Sequence, residues 1–331
     1  MEPKEQTRAP AFNGINVSGE ALEADYSDNL MNVVTFFEPV TRNSLDTVET
    51  MRLMSRKYEG LSVAFRYVME PRLSCMYHAK ESQMTLDRLS LFGNTLFDAN
   101  NMLVLQFGIR ELPAVLIIDS NGIIKSRYEG EVSLRSFERS IQSRLAMSGY
   151  RDELPNMDGP GFDIMRSRGD SKLRQLGYVT GDYVFTSLVV PETNQEFSLP
   201  NFFILDTIYP HGAWYVGRDY IEGTGGSTVY ISCSKDQSVL AFTGSGEGAS
   251  VRMHTAIEAP QNLILGKDVK QEGALLELNV SEHRPYELLA SSGDSDILIS
   301  LQIQSGSIRL YSVEFCDLEH AAGPTAANWA R

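Results

Sequence analysis

Cysteine is scarce in this chain of 331 residues, and useful cysteine spacing is absent. Cys75, Cys233 and Cys316 stand far apart, and no two form a C-x-x-C pair or a metal-ligand spacing. That excludes a self-contained dithiol and a cysteine-rich zinc site. Three scattered thiols read as buried or half-buried groups of a reducing compartment. Basic residues are also short: 29 Lys and Arg face 43 Asp and Glu, a formal charge of -14. So acidic a chain argues against nucleic acid or an anionic membrane surface as partner. No stretch reaches the roughly 20 apolar residues that span a bilayer, so membrane insertion is not expected. The opening run MEPKEQTRAPAFNG lacks the apolar centre of a signal peptide, so a complete chain is expected in the cytoplasm. The five histidines are scattered, with no carboxylate at metal or triad spacing. GTGGS at 223–227 and GSGEG at 244–248 lack the strand-turn-helix setting of a phosphate loop. No metal or cofactor is expected.

What is present centres on two stretches. In Asn32–Ser44, Val33, Val34, Phe36 and Phe37 form a continuous apolar run, as in a strand covered on both faces. Glu38-Pro39 ends it. Asn43 or Ser44 can cap a helix carrying Leu45, Val48, Met51, Met54 and Tyr58 on one face. In Arg110–Gly122, Pro113 heads a second apolar run, Ala114–Ile118, and Asp119–Gly122 reads as a hairpin turn.

The rest of the chain falls around these stretches. Leu61–Val68 is a further strand, closed by Met69-Glu70-Pro71. Residues 79–107 read as helix and loop, with Leu86, Leu89 and Phe92 on one face. Ile123–Tyr128 returns the hairpin, and Ser133 caps a helix bearing Leu134, Phe137, Ile141 and Leu145. Residues 149–200 are rich in Gly, Pro and charge and read as a connector. Its aromatics, Phe162, Tyr178, Tyr183 and Phe185, suit a segment packed between two domains. Arg168-Gly169-Asp170 within it reads as a solvated turn. From about Asn201 short apolar runs alternate with Gly-rich turns; Leu275–Val280 and Ile297–Ile303 alternate cleanly. Eight such runs predict an antiparallel jelly-roll sandwich over 201–318, with 319–331 as a loose tail.

A proline-headed strand opposite a strand-to-helix turn resembles the thioredoxin fold, closest to the TlpA and DipZ families. Ala9-Pro10-Ala11-Phe12-Asn13-Gly14-Ile15 is similar to the DipZ opening. Gly212–Gly217, Arg284–Leu288 and Ile308–Phe315 are similar to phrases of the carbohydrate-binding-module-like domain that follows in DipZ proteins. The resemblance implies an α/β thioredoxin-like domain over 1–148 and an all-β domain after it. It implies a cis bond before Pro113 and, as an alternative, an extracytoplasmic location. It also implies redox cysteines five and eight residues after Phe36. Those positions hold Thr41 and Ser44, so Thr41-Arg42-Asn43-Ser44 stands where C-x-x-C is expected.

A hydroxyl neither attacks a disulfide at neutral pH nor resolves a mixed one, and Thr41 and Ser44 read as caps of the helix. Two readings follow. In the first, the protein is a non-catalytic thioredoxin-like chain that binds a partner protein or a carbohydrate. Its candidate binding residues are Arg42 at the helix start, Pro113 on the opposing turn, and Trp214 with Tyr215 on the β domain. One of that adjacent pair points inward by alternation; Tyr209, His211 and Tyr220 stand nearby. In the second, Cys75 in Ser74-Cys75-Met76-Tyr77-His78 is a reactive thiol that supports an oxidoreductase. The pattern specifies no oligomeric state.

Overall fold

The computed structural model describes residues 7–91, 93, 95–130, 134–147, 150, 154–155, 168–181, 189–256 and 262–318. The chain divides into two units, Met1–Arg166 and Ser167–Arg331.

In the first unit, β1 (Phe12–Ile15) and β2 (Ala21–Ala24) form a small hairpin. Then come β3 (Met31–Phe37), α1 (Arg42–Lys57), β4 (Val63–Met69), α2 (Ala79–Arg88), β5 (Thr95–Phe97) and α3 (Met102–Gln106). The unit closes with β6 (Ala114–Asp119), β7 (Ile124–Glu129) and α4 (Leu134–Met147). The sheet order is β5-β4-β3-β6-β7. β4 runs parallel to β3, and β6 runs antiparallel to it. This β-α-β then β-β-α order is the thioredoxin-like arrangement expected.

β3 lies at the centre because every one of its residues is buried. Val33 and Phe37 face a core completed by Val48, Met51 and Tyr58 of α1 and Phe137, Ile141 and Leu145 of α4. Val34 and Phe36 face the opposite core with Leu96, Phe107 and Leu116. Burying a Phe completely contributes about 2–3 kcal/mol, so Phe36 and Phe37 fix the strand from both sides. The hairpin turn is as expected: Asp119 Oδ1 accepts from the N–H groups of Asn121 and Ile123, and Gly122 takes φ +74°. The Leu112–Pro113 bond is cis. Phe92 and Ser133 lie outside the described residues.

The second unit is all β, and its strands run β8 (Arg168–Gln175), β9 (Asn194–Phe197), β10 (Thr207–Val216), β11 (Ile221–Thr224), β12 (Thr228–Cys233), β13 (Gln237–Gly244) and β14 (Ala249–Ala256). They continue through β15 (Ile264–Leu265), β16 (Val269–Glu272), β17 (Leu275–Val280), β18 (Arg284–Ser291), β19 (Ile297–Ser305) and β20 (Ser307–Leu318). Their pairing is antiparallel throughout, along the path β15-β18-β13-β20-β11-β10-β12-β19-β14-β17-β16. β8 joins at β20 and β9 joins at β10. Both halves of the path feed one core, where Val239, Leu288 and Val313 meet Ile231, Leu278 and Ile299.

Two boundaries are corrected. The connector expected over 149–200 supplies β8 and β9, so the second unit begins near Ser167 rather than 201. Arg168-Gly169-Asp170 is strand, not turn, because its backbone pairs with the end of β20. Phe162, Tyr183, Phe185 and the tail 319–331 lie outside the described residues.

Candidate functional site

One end of the first unit's sheet gathers the expected site residues. Phe37 pairs with Met69, so Glu38 and Glu70 leave the parallel strands side by side. Phe36 pairs with Ala114, which brings Pro113 to that same end. α1 starts there as well. Thr41 is its N-cap, and the Thr41 hydroxyl accepts from Ser44 N–H at 3.4 Å. Of the cap candidates Thr41, Asn43 and Ser44, the helix uses Thr41. Asn43 is used otherwise: its amide donates to the Gly130 carbonyl at 3.0 Å, and Gly130 N–H donates to the Pro113 carbonyl at 2.8 Å. This relay ties the helix start to the proline turn. Ser44 is fully buried, and its hydroxyl finds no hydrogen-bond partner. Arg42 is half-buried in the first helical turn.

Beside the proline turn lies a recess of about 490 Å³ lined by Glu38, Glu70, Arg72, Arg110, Glu111 and Leu112. Glu38 is buried and ion-paired with Arg72. Burial lifts the Glu70 carboxyl above its ordinary range, and the neighbouring Glu38 charge adds to the lift. Leu112 also lines the recess. Among the described residues neither its N–H nor its C=O finds a hydrogen-bond partner. Most backbone groups of a folded protein are paired or hydrated, and Leu112 is half-buried at the recess. The recess carboxylates are absent from the residues picked out by sequence. The signal was there: two apolar strands each end in Glu-Pro, at Glu38-Pro39 and Glu70-Pro71.

Cys75 lies on a short 3-10 turn, Ser74–Tyr77, and is 4% exposed. His78 is exposed, and its backbone N–H donates to the Cys75 carbonyl at 3.2 Å. All three cysteines are buried and in the thiol form. Burial pushes the Cys233 thiol up to about 12. Among the described residues no group of three His, Cys, Asp or Glu is placed to hold a metal ion. No helix of the described residues is long and apolar enough to cross a membrane.

In the second unit, Trp214 is corrected from a binding residue to a core residue. Its side chain is completely buried, its indole N–H donates to the His211 carbonyl at 3.1 Å, and its ring lies over Gly223 of the paired strand. Alternation along β10 leaves Tyr215 on the outer face, where its hydroxyl donates to Glu192. Tyr215 and Tyr220 form a tilted ring pair 6.3 Å apart, and the Arg309 guanidinium sits 4.8 Å over Tyr220.

No protein-family model matches the chain. Against curated proteins, the thiol:disulfide interchange protein DsbE of Escherichia coli K12 is 33% identical over 75 residues, covering 22% of this chain and 40% of that protein. DsbE of Vibrio cholerae is 38% identical over 47 residues, covering 14% of this chain and 26% of that protein. The chain therefore matches well under half the length of these relatives. Among solved structures, a putative thioredoxin from Neisseria meningitidis is 17% identical with a TM-score of 0.38, covering 43% of this chain and 93% of that one. A putative DsbE from Chlorobium tepidum is 17% identical with a TM-score of 0.37, covering 43% and 98%. In its amino-terminal part the chain resembles thioredoxin-like thiol:disulfide interchange proteins of the DsbE type.

Proposed function

We propose that this chain is a redox-inactive thioredoxin-like protein whose first unit binds an extended segment of a partner protein. One observation carries the reading. The two redox positions hold hydroxyls, Thr41 capping a helix and Ser44 buried, while the Leu112 backbone at the same end of the sheet has no hydrogen-bond partner among the described residues. An extended peptide laid along Leu112 supplies the missing acceptor and donor, as in strand addition. The loss of thiols removes the covalent step and leaves the docking step. The match to proteins named for disulfide interchange supports the descent of the face, and favours an oxidising, extracytoplasmic location over the cytoplasm.

The test uses the full chain and reduced, alkylated insulin B chain as an extended probe. Hydrogen exchange should slow at 109–113 and 40–44 when the probe is added. Absence of binding, or protection confined to other segments, would overturn the reading.

A second reading concerns the all-β unit, proposed here as a carbohydrate-binding-module-like jelly roll. The half-exposed Tyr215 and Tyr220 rings, with Glu192 and Arg309 at their edges, offer stacking surface and hydrogen-bonding groups together. Affinity electrophoresis in gels containing soluble polysaccharides checks it. Retardation that Tyr215→Ala abolishes supports the reading, and mobility unchanged in every polysaccharide removes it.

A further inference from the structure

The recess beside Leu112 has a charge pattern that its own chain leaves incomplete. Glu38 is satisfied by Arg72. Glu70 stands next to Glu38; burial first and the Glu38 charge second push it toward its neutral form, outweighing Arg72 and a hydrogen bond from Asn101. Glu111 is exposed on the approach to Pro113 and has no cation partner among the described residues. Its carboxylate stands close over Gly130, the residue that joins Asn43 to Pro113. Val104 and Ile109 supply an apolar wall. Such a recess suits a side chain with an apolar stem and a positive end.

We propose that the recess selects a lysine or arginine side chain of the segment docked along Leu112. This rests on the peptide-docking reading above and adds the identity of one residue of the partner. The peptide backbone pairs with Leu112 N–H and C=O. Its cationic side chain lies along Val104 and Ile109 and places its charge between Glu70 and Glu111. A guest cation there relieves the Glu38–Glu70 repulsion and gives Glu111 its counter-charge. A carboxylate guest meets the reverse field, so selection works by rejection as well as attraction. Of the two arginines lining the recess, Arg72 pairs with Glu38 and Arg110 is exposed on the rim. Arg110 limits how far an all-basic peptide gains over a peptide with a single cation.

Three peptide pools, identical in extended flanking sequence and differing only in a central Lys, norleucine or Glu, are titrated against the full chain by fluorescence anisotropy. The Lys pool should bind about tenfold tighter than the norleucine pool, the scale of one charge-assisted hydrogen bond. The Glu pool should bind more weakly than both. Added salt should narrow the Lys-to-norleucine ratio. Glu70→Gln with Glu111→Gln should bring that ratio within about twofold, the residue of apolar packing alone. Glu111→Lys changes only an exposed residue and should narrow the ratio in a chain that still folds. Equal binding of all three pools overturns the charge selection and leaves the docking reading standing. A ratio unmoved by Glu111→Lys and by the double variant also overturns it. Failure of every pool to bind overturns both.

Discussion

The Tyr58 hydroxyl, at the end of α1, donates to the fully buried carboxylate of Glu138 on α4 at 2.9 Å. Lys57 closes on the same oxygen at 2.6 Å, and the Gln142 amide donates to the Tyr58 oxygen at 3.0 Å. Two helices on one side of the sheet are thus joined by a charge that neither could bury alone. Removing one partner of such a pair strands the other, which costs about 3 kcal/mol or more. Glu138→Ala should therefore lower the stability of the first unit by about 3 kcal/mol. Glu138→Gln, which can still accept from Tyr58, should cost less. Urea denaturation followed by circular dichroism measures both. Equal small losses would show that Lys57 and Tyr58 find water instead.

Insulin reduction with dithiothreitol should proceed no faster with this protein than without it. Thr41 and Ser44 carry no thiol, and Cys75 is buried on its turn. Turnover above background that Cys75→Ser removes would restore Cys75 as a reactive thiol. Thr41→Cys combined with Ser44→Cys should create a disulfide across the first turn of α1. Thiol titration after oxidation should then lose two thiols. Retention of all of them would mean that this helix start lacks the geometry of a dithiol site.

Gly223→Ala should destabilise the second unit. A methyl group there would lie 2.6 Å from the Trp214 ring, and that ring has no exposed route of escape. Overpacking of this kind costs about 1–3 kcal/mol. The thermal midpoint should fall, and a smaller substitution on the other side, Trp214→Phe combined with Gly223→Ala, should recover part of it. An unchanged midpoint would show that the ring shifts freely.

Acid should weaken the second unit through Asp206. Burial alone would raise its carboxyl, but hydrogen bonds from Lys172 and Ser234 outweigh burial and hold it below its ordinary value of 3.8. A lowered folded value means that the unfolded chain takes up the proton first. The stabilisation is complete above the unfolded value and is lost as pH falls through the lower folded one. Asp206→Asn should lower the urea midpoint near pH 6 by the equivalent of about 1–2 kcal/mol and flatten its decline below about pH 4. A decline as steep as that of the parent chain would assign the acid sensitivity to other carboxylates.

Much of the first unit was legible because its signals are local. Two apolar pairs separated only by Thr35 read as a strand covered on both faces, and Val33 and Phe37 are buried in one core while Val34 and Phe36 are buried in the other. The stripe from Val48 to Tyr58 faced the core as its spacing required. The cap falls on Thr41, one of three neighbours, Thr41, Asn43 and Ser44, that all suit a helix start. Tertiary context decided it, since Asn43 is drawn away by Gly130, which lies 87 residues later. In the second unit, β10 and β11 escaped notice. Pro210, Gly212 and Gly223 interrupt their apolar pattern, although Gly223 is there to admit a ring. Trp214 and Tyr215 could be split into one inside and one outside, but parity alone does not say which. The recess was illegible because Glu38, Glu70 and Glu111 come from three separate segments, and only strand register makes them neighbours.

β10 changes partners halfway along its length. Residues Thr207–His211 pair with β12, while Gly212–Tyr215 pair with β9 and Trp214–Val216 with β11. Gly212 stands at the changeover with φ +83°, a conformation that a residue with a Cβ rarely takes. The two halves of the strand path are therefore joined through a single strand, like two pages on one spine. Neither half can fray inward past β10 without tearing the ladder of the other. Melting that begins at β15 and melting that begins at β16, the opposite ends of the path, must meet the same barrier. Loosening confined to the outer strands should leave the centre intact, and once β10 yields the whole ribbon should follow in one step.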